Sequence, residues 1–412
     1  MTPHALLRAL FDKAVEVADP MRSLAAYLPP KPAGRVVVVG AGKASARMAE
    51  AVETVWGPCE GLVITRYGYG RPCQGIKIVQ AAHPVPDAAG AAATGEMLAL
   101  LGGLGAGDFV LALISGGASA LLVAPADGVS LAEKQAVNAA LLACGAPIAQ
   151  MNTVRKHLSR VKGGQLAAAA YPAQVLALMI SDVPGDDMAF IGSGPTVGDA
   201  STPAEALAIL AHWGAQVPPA ALAALERPTG VIAPHDHRLS QTTNRIYAAP
   251  AQSLAAAKAL AQEQGLRVVM LGDALEGEAR DVAAQMAQTA LKARSDTPIL
   301  LLSGGELTVT KRGDGVGGPN AEFCLALALA LNGAAGIHAI ACDTDGVDGA
   351  AEVAGAIIGP DTLAKAKAAG VNAALALSRN DAHSFFAAIG DQVVTGPTLT
   401  NVNDFRAVLV LP

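Results

Sequence analysis

Aromatic side chains are scarce: phenylalanine, tyrosine and tryptophan make up 3% of the 412 residues. A chain so poor in rings offers no stacking platform for single-stranded nucleic acid. Basic runs are missing and the net charge is −6, which argues against nucleic-acid partners and against acidic membrane surfaces. Cysteine is sparse and dispersed. Cys59, Cys73, Cys144, Cys324 and Cys342 form no CxxC pair, so reduced thiols in a cytoplasmic protein are expected, not a disulfide frame or a zinc site. Long apolar runs are absent too: the run Leu325–Leu331 is too short for a bilayer, and residues 1–18 carry Arg8, Asp12, Lys13 and Glu16, unlike a signal peptide. What remains is a chain that is 52% hydrophobic and 16% charged, long enough for two or three domains of layered helices and sheets.

The stretch Val36-Val37-Val38-Val39-Gly40-Ala41-Gly42-Lys43-Ala44-Ser45 organises the first half. Four valines read as a strand buried on both faces, and helical spacing follows over residues 46–55. A strand, a glycine turn and a helix aim backbone N–H groups at an anion, and Lys43 adds a full positive charge. Two standard readings fail on spacing. The dinucleotide fingerprint needs a third glycine where Ser45 stands, and the next strand ends at Arg66 without a ribose-binding carboxylate. The P-loop needs glycine where Val37 stands and a hydroxyl where Ala44 stands.

Further along, the strand 109–114 runs into Ser115-Gly116-Gly117-Ala118-Ser119. A dense cationic stretch, Asn152 to Gln165, carries Arg155, Lys156, Arg160 and Lys162; a solvated charged helix is the simplest expectation for Lys156 and Arg160. A strand over 175–180 leads to Asp182, Asp186 and Asp187, at the strand end where open α/β sheets place their ligands. Pro228, Pro234 and the His235-Asp236-His237 run suggest a boundary near residue 238. The second half repeats the strand–Ser–Gly–Gly device at Ser303-Gly304-Gly305-Glu306. A glycine-rich loop follows (Gly313, Gly315, Gly317, Gly318) ahead of Asn320 and a helix, in kind another phosphate cradle. Asp343, Asp345 and Asp348 close a strand in a pattern that suits Mg²⁺.

Taken in order, these motifs resemble the MOFRL-type glycerate 2-kinases, some of which carry the name hydroxypyruvate reductase. The resemblance rests on Gly-Ala-Gly-Lys-Ala-Ser (40–45), His-Pro-x-Pro-Asp (83–87), Ser-Gly-Gly-Ala-Ser (115–119) and Asn-Thr-Val-Arg-Lys-His-Leu-Ser (152–159). It continues through Ser-Asp-Val-x-Gly-Asp (181–186), Asp-Thr-Asp-Gly-x-Asp-Gly (343–349) and Thr-Gly-Pro-Thr-x-Thr-Asn-Val-x-Asp (395–404). It implies an α/β fold of two domains. Residues 1–238 would form a Rossmann-like α/β/α sandwich and residues 239–412 a MOFRL-type α/β domain, with a cleft between them and a last strand that returns to the first domain.

The resemblance further implies MgATP-dependent phosphorylation of D-glycerate on its C2 hydroxyl, with a homodimer as one arrangement. Lys43 and Asp186 are the expected catalytic pair, and Ser115, Gly116, Gly117, Ser119 and Arg155 are expected to hold the acid. Gly40, Gly42, Ser45, Gly304, Gly305, Glu306, Gly315, Gly317 and Asn320 would approach ATP, and Asp343, Asp345 and Asp348 would hold Mg²⁺. The family's usual arginine is replaced here by Pro319, so Arg312 or Arg155 would supply that charge. A nicotinamide-dependent hydroxypyruvate reductase and a non-catalytic anion or nucleotide sensor are the alternatives.

Overall fold

The valine run forms β1 (Val36–Ala41), buried along its whole length. Parallel neighbours with similar apolar runs flank it: β2 (Glu60–Arg66), β3 (Ile76–Ala81), β4 (Phe109–Ile114) and β5 (Gln174–Ile180). With β6 (Thr242–Ala248) they make a six-stranded sheet in the order β3-β2-β1-β4-β5-β6. A strand with both faces covered has no polar alternation, which is why β1, β4 and β5 read as continuous apolar runs, while β3 at the sheet edge carries exposed Lys77 and Gln80. The helix Ala88–Leu101 starts where the Asp87 carboxylate accepts from the Gly90 N–H at 2.9 Å, an ordinary N-cap. A satellite core (Val137, Leu141, Met151, Val154, Leu210, Leu225) joins the helices Leu131–Ala143, Ile148–His157, Pro203–His212 and Pro219–Leu225.

This computed structural model describes residues 1–349 and 351–412. The chain divides into an inserted unit, Ser23–Tyr247, and a flanking unit made of Met1–Arg22 with Ala248–Pro412. The expected boundary at residue 238 therefore falls inside the inserted unit, and the first 22 residues lie with the second half. The reason is apolar periodicity. In the helix Pro3–Ala18, Leu7, Leu10, Phe11 and Ala14 form a fully buried stripe. The stripe packs with Leu254, Ala257 and Ala261 of the helix Pro250–Glu263 and with Leu300, Leu302, Ile340 and Phe405 of a second sheet. Each large side chain so buried contributes about 1.5–3 kcal/mol.

The second sheet contains β7 (Arg267–Met270), β9 (Ile299–Ser303), β11 (Ile337–Asp343), β12 (Gly355–Ile358), β13 (Gln392–Val393) and β14 (Asp404–Val410), in the order β13-β12-β11-β14-β9-β7. β7 and β9 pair in parallel, and the other neighbours pair antiparallel. A two-stranded ladder joins β8 (Gly277–Glu278) to β10 (Leu307–Thr308). Along β9 the side chains alternate: Leu300 and Leu302 meet the N-terminal helix, while Ile299 and Leu301 join the core under the helices Ala279–Lys292 and Pro319–Leu331. The last strand, β14, does not return to the first sheet. It is buried throughout and lies between β11 and β9.

Candidate active site

The order β3-β2-β1-β4-β5 reverses direction between β1 and β4. Ligands of doubly wound sheets sit at the carboxyl ends of the two strands at such a reversal. Here those ends carry the Gly42–Lys43 turn and the Ser115–Ser119 turn, and the backbone joins them. The Lys43 N–H donates to Gly116 O at 2.8 Å, and the Ala44 N–H donates to Ser115 Oγ at 3.0 Å. Ser45 Oγ donates to Leu113 O at 2.9 Å and lies 3.2 Å from Ser115 Oγ. Gly42 is required by this junction: its φ is +143°, and a β-carbon on it would lie 2.1 Å from Ser115 Oγ.

The junction changes the reading of the turn. The N–H groups of Gly42 and Ser45 are also engaged, with Ile64 O at 3.1 Å and Gly42 O at 3.2 Å. Four successive N–H groups expected to cradle phosphate are thus spent on protein partners. Gly40 serves close packing, since a β-carbon there would meet Leu113 O at 2.3 Å. Gly40, Gly42 and Ser45 build the turn, and the group it presents is the Lys43 side chain. Ser115 is fully buried and its hydroxyl is part of the junction. Ser119 Oγ lies 2.8 Å from Ser193 Oγ, which in turn donates to Asn152 Oδ1 at 3.3 Å.

Asp186 lies beyond the end of β5, on the same edge of the sheet. It holds φ at +56°, a left-handed value that Asp tolerates better than most side chains, and its N–H donates to Val183 O at 3.0 Å. Its Oδ1 is buried with no hydrogen-bond partner among the described residues. A buried carboxylate oxygen without a donor costs about 1–3 kcal/mol.

The cationic stretch divides by role. Lys156 is buried and ion-paired with Asp199, contrary to a solvated reading, whereas Arg160 is exposed. Lys162 is also buried, and Nζ donates to the carbonyl of Ser119 at 2.9 Å and to those of Leu122 and Gly192 at 3.4 Å, bracing the Ser119 turn. Burial pushes its pKa well down. Nothing in the sequence separates this lysine from its basic neighbours except the Gly163-Gly164 that follows it. Arg155, expected to hold the acid, donates through Nε to Asn138 Oδ1 at 3.0 Å.

In the flanking unit the glycine loop lies against residues 379–382. β-Carbons on Gly315 and Gly317 would meet Asp381 Cβ at 2.4 Å and Asn380 O at 2.7 Å, so these glycines serve close packing. Arg312 is exposed, and its backbone N–H donates to Asn380 Oδ1 at 2.7 Å. Asn380 Nδ2 donates to Glu322 Oε2 at 2.9 Å, and Arg280 pairs with Glu322 Oε1 at 2.6 Å. Gly304 and Gly305 pack on residues 272–275, and Glu306 is exposed beside them.

Asp348, expected among the Mg²⁺ ligands, is instead the cap of the helix Pro319–Leu331. Its two oxygens accept the N–H groups of Asn320 at 2.9 Å and Ala321 at 2.8 Å, and His383 Nε2 lies 3.1 Å away. Gly318 makes the approach possible, since a β-carbon there would meet Asp348 Cγ at 2.4 Å. Asp343 Oδ1 accepts the Asp345 N–H at 2.9 Å, and Asp345 Oδ1 accepts the Val347 N–H at 2.8 Å. No group of three or more His, Cys, Asp or Glu side chains is placed to hold a metal among the described residues. Asp348→Ala should therefore destabilise the chain by at least about 2 kcal/mol, through two lost cap bonds in a buried site. An unchanged urea midpoint would remove the capping role.

Asn320 also donates through Nδ2 to Asp404 Oδ1 at 2.7 Å, and Arg406 donates to Asp404 Oδ2 at 2.9 Å. Burial outweighs the Arg406 charge and raises the Asp404 pKa from 3.8 to about 6. The folded chain then keeps a proton that the unfolded chain has released. Its stabilising contribution is complete below pH 3.8 and is lost as pH rises through about 6. Thermal melts from pH 4 to 7 should show this fall, and Asp404→Asn should flatten it. Equal slopes in both proteins would refute the assignment.

A lysine-bearing turn joined to a Ser-Gly-Gly turn at the reversal point of a doubly wound sheet is the arrangement of an α/β enzyme for small molecules. Residues 6–226 match a family described as a domain of unknown function, DUF4147, and residues 299–404 match the MOFRL family. An Agrobacterium vitis protein provisionally named hydroxypyruvate reductase is 51% identical over 100% of this chain and 95% of its own. A Thermotoga maritima protein named D-glycerate 2-kinase is 38% identical over 97% of this chain and 96% of its own. The crystal structure of a glycerate kinase from Thermotoga maritima matches with a TM-score of 0.87 and 36% identity, covering 99% of each chain. The chain belongs to the MOFRL-type glycerate 2-kinase family.

Proposed function

We infer that this chain is a glycerate 2-kinase, which moves the terminal phosphoryl group of ATP to the C2 hydroxyl of D-glycerate and yields 2-phosphoglycerate and ADP. The observation that supports it most is the Lys43 turn at the reversal point of the first sheet, with the unpartnered Oδ1 of Asp186 in the loop after β5. Phosphoryl transfer is mainly positioning and charge neutralisation. The Lys43 ammonium stabilises charge on the transferred group. The orphaned Oδ1 of Asp186 receives the C2 hydroxyl and takes its proton as the new P–O bond forms and the bond to ADP breaks. The Ser115–Ser119 turn, braced by Lys162, shapes the acceptor side.

Nucleotide and Mg²⁺ contacts belong to the same proposal. Gly304, Gly305, Glu306 and Arg312 are the groups offered to the nucleotide. Asp343 and Asp345 fit an ion that takes one or two carboxylates and completes its shell with phosphate oxygens. When bound, Mg²⁺ would neutralise phosphate charge. A cytoplasmic setting, with its ATP and reduced thiols, accords with five free cysteines.

The reductase name of the Agrobacterium vitis relative gives the second reading. Against it, Ser45 is buried and tied to Leu113 O where a dinucleotide would need glycine, and β2 ends at Arg66. Incubation with D-glycerate and MgATP, coupled through enolase without phosphoglycerate mutase, reads 2-phosphoglycerate directly. Enolase signal supports the kinase. No ADP release, with NADH oxidised by hydroxypyruvate, would establish the reductase in its place.

A further inference from the structure

We propose that His83 is a substrate-contacting residue of this site, with its imidazole donating a hydrogen bond to the carboxylate of the acceptor acid; the inference rests on the kinase reading above. His83 follows the end of β3, and β3 is three strands from β4 in the sheet. At about 4.8 Å per strand, those ends are roughly 14 Å apart. Yet the His83 ring reaches the β4 turn. A β-carbon on Gly117 would lie 3.1 Å from His83 Cδ2, 3.2 Å from His83 Nε2 and 3.2 Å from Lys43 Cγ. The segment 82–87 must therefore cross the carboxyl ends of the intervening strands.

Its far end is pinned. Tyr67 Oη donates to Asp87 Oδ2 at 2.9 Å, Gln135 Nε2 donates to Pro86 O at 2.6 Å, and Asp87 caps the helix Ala88–Leu101. The strap thus holds a half-buried imidazole over the reversal point of the sheet, beside the stem of Lys43.

Gly117 lets the imidazole and the Lys43 stem close onto the turn. It holds φ at +83°, which favours glycine, and the space its side chain would fill is bounded by imidazole and lysine. In a 2-hydroxy acid the carboxylate adjoins the reacting carbon, so a donor beside Lys43 suits the acid while Asp186 takes the hydroxyl. Arg155, also expected for the carboxylate, gives its Nε to Asn138 Oδ1.

Losing a hydrogen bond to a charged group should raise the KM for D-glycerate about 10- to 100-fold in His83→Ala, with the KM for ATP held within about twofold. His83→Gln, which keeps an N–H near the place of Nε2, should recover part of that loss, and His83→Leu should not. A purely structural histidine would move both KM values and the melting temperature together. A folded His83→Ala with an unchanged glycerate KM would overturn the proposal.

The kinase reading fails separately, as a wild-type protein that releases no ADP with glycerate. The His83 proposal is then decided by proton NMR of the imidazole, assigned by its loss in His83→Gln. Movement of that resonance on titration with D-glycerate supports the contact, and a fixed resonance overturns it.

Discussion

Replacing Lys43 with Met is expected to lower turnover by about three orders of magnitude, equivalent to about 4 kcal/mol of transition-state stabilisation. The fold should survive. The turn is held by the Lys43 backbone N–H on Gly116 O and by the Ser115 and Ser45 hydroxyls, none of which involves the ammonium. Methionine keeps an unbranched stem beside Gly117 and removes only the charge. The loss should therefore appear mainly in kcat, with a smaller change in the KM for glycerate. A folded Lys43→Met protein with near-normal turnover would eliminate the proposed role.

Asp186→Asn should cost about 10²- to 10⁴-fold in kcat, the range for removing a positioned general base. Asparagine accepts a positive φ as readily as aspartate, so the backbone at +56° should persist. Stability should hold or rise slightly, because the wild-type protein keeps a buried Oδ1 without a donor. That combination, slower and no less stable, distinguishes a functional carboxylate from one that merely supports its loop. If Lys43 and Asp186 act as a unit, the double variant will lose much less than the product of the two single losses. A stable Asp186→Asn enzyme with full kcat would leave the proton without its acceptor.

Much of this site is legible in the sequence, one element at a time. Unbroken apolar runs mark β1, β4 and β5 as covered on both faces, and their glycine and hydroxyl endings mark ligand-side turns. What the residues do not state is which turns are neighbours. Ala44 and Ser115 are 71 positions apart along the chain, yet the Ala44 N–H donates to Ser115 Oγ. The order of strands brings them together.

Asp348 shows the opposite failure. Three aspartates at a strand end suggest a cation, yet one of them caps a helix that begins near Asn320, 28 positions earlier. A helix N-terminus and a metal ion both attract a carboxylate, and sequence spacing does not separate them. Lys162 was hidden for a related reason: within a basic run, burial against carbonyls leaves no local mark. The N-terminal helix announced its apolar stripe but not the sheet that covers it.

That helix has a consequence for the order of synthesis. The residues that cover it lie beyond Ala248, and β14, the strand between β11 and β9, follows every other strand of its sheet. On the ribosome, residues 1–22 emerge long before the surface that buries them exists, while Ser23–Tyr247 already holds its complete sheet except for the final residue of β6. The inserted unit can fold first, and the stripe of Leu7, Leu10 and Phe11 stays uncovered until the residues after Ala248 that bury it have been made. A nascent chain of this kind carries an apolar stripe that waits for its cover while the inserted unit is made, a natural target for chaperones.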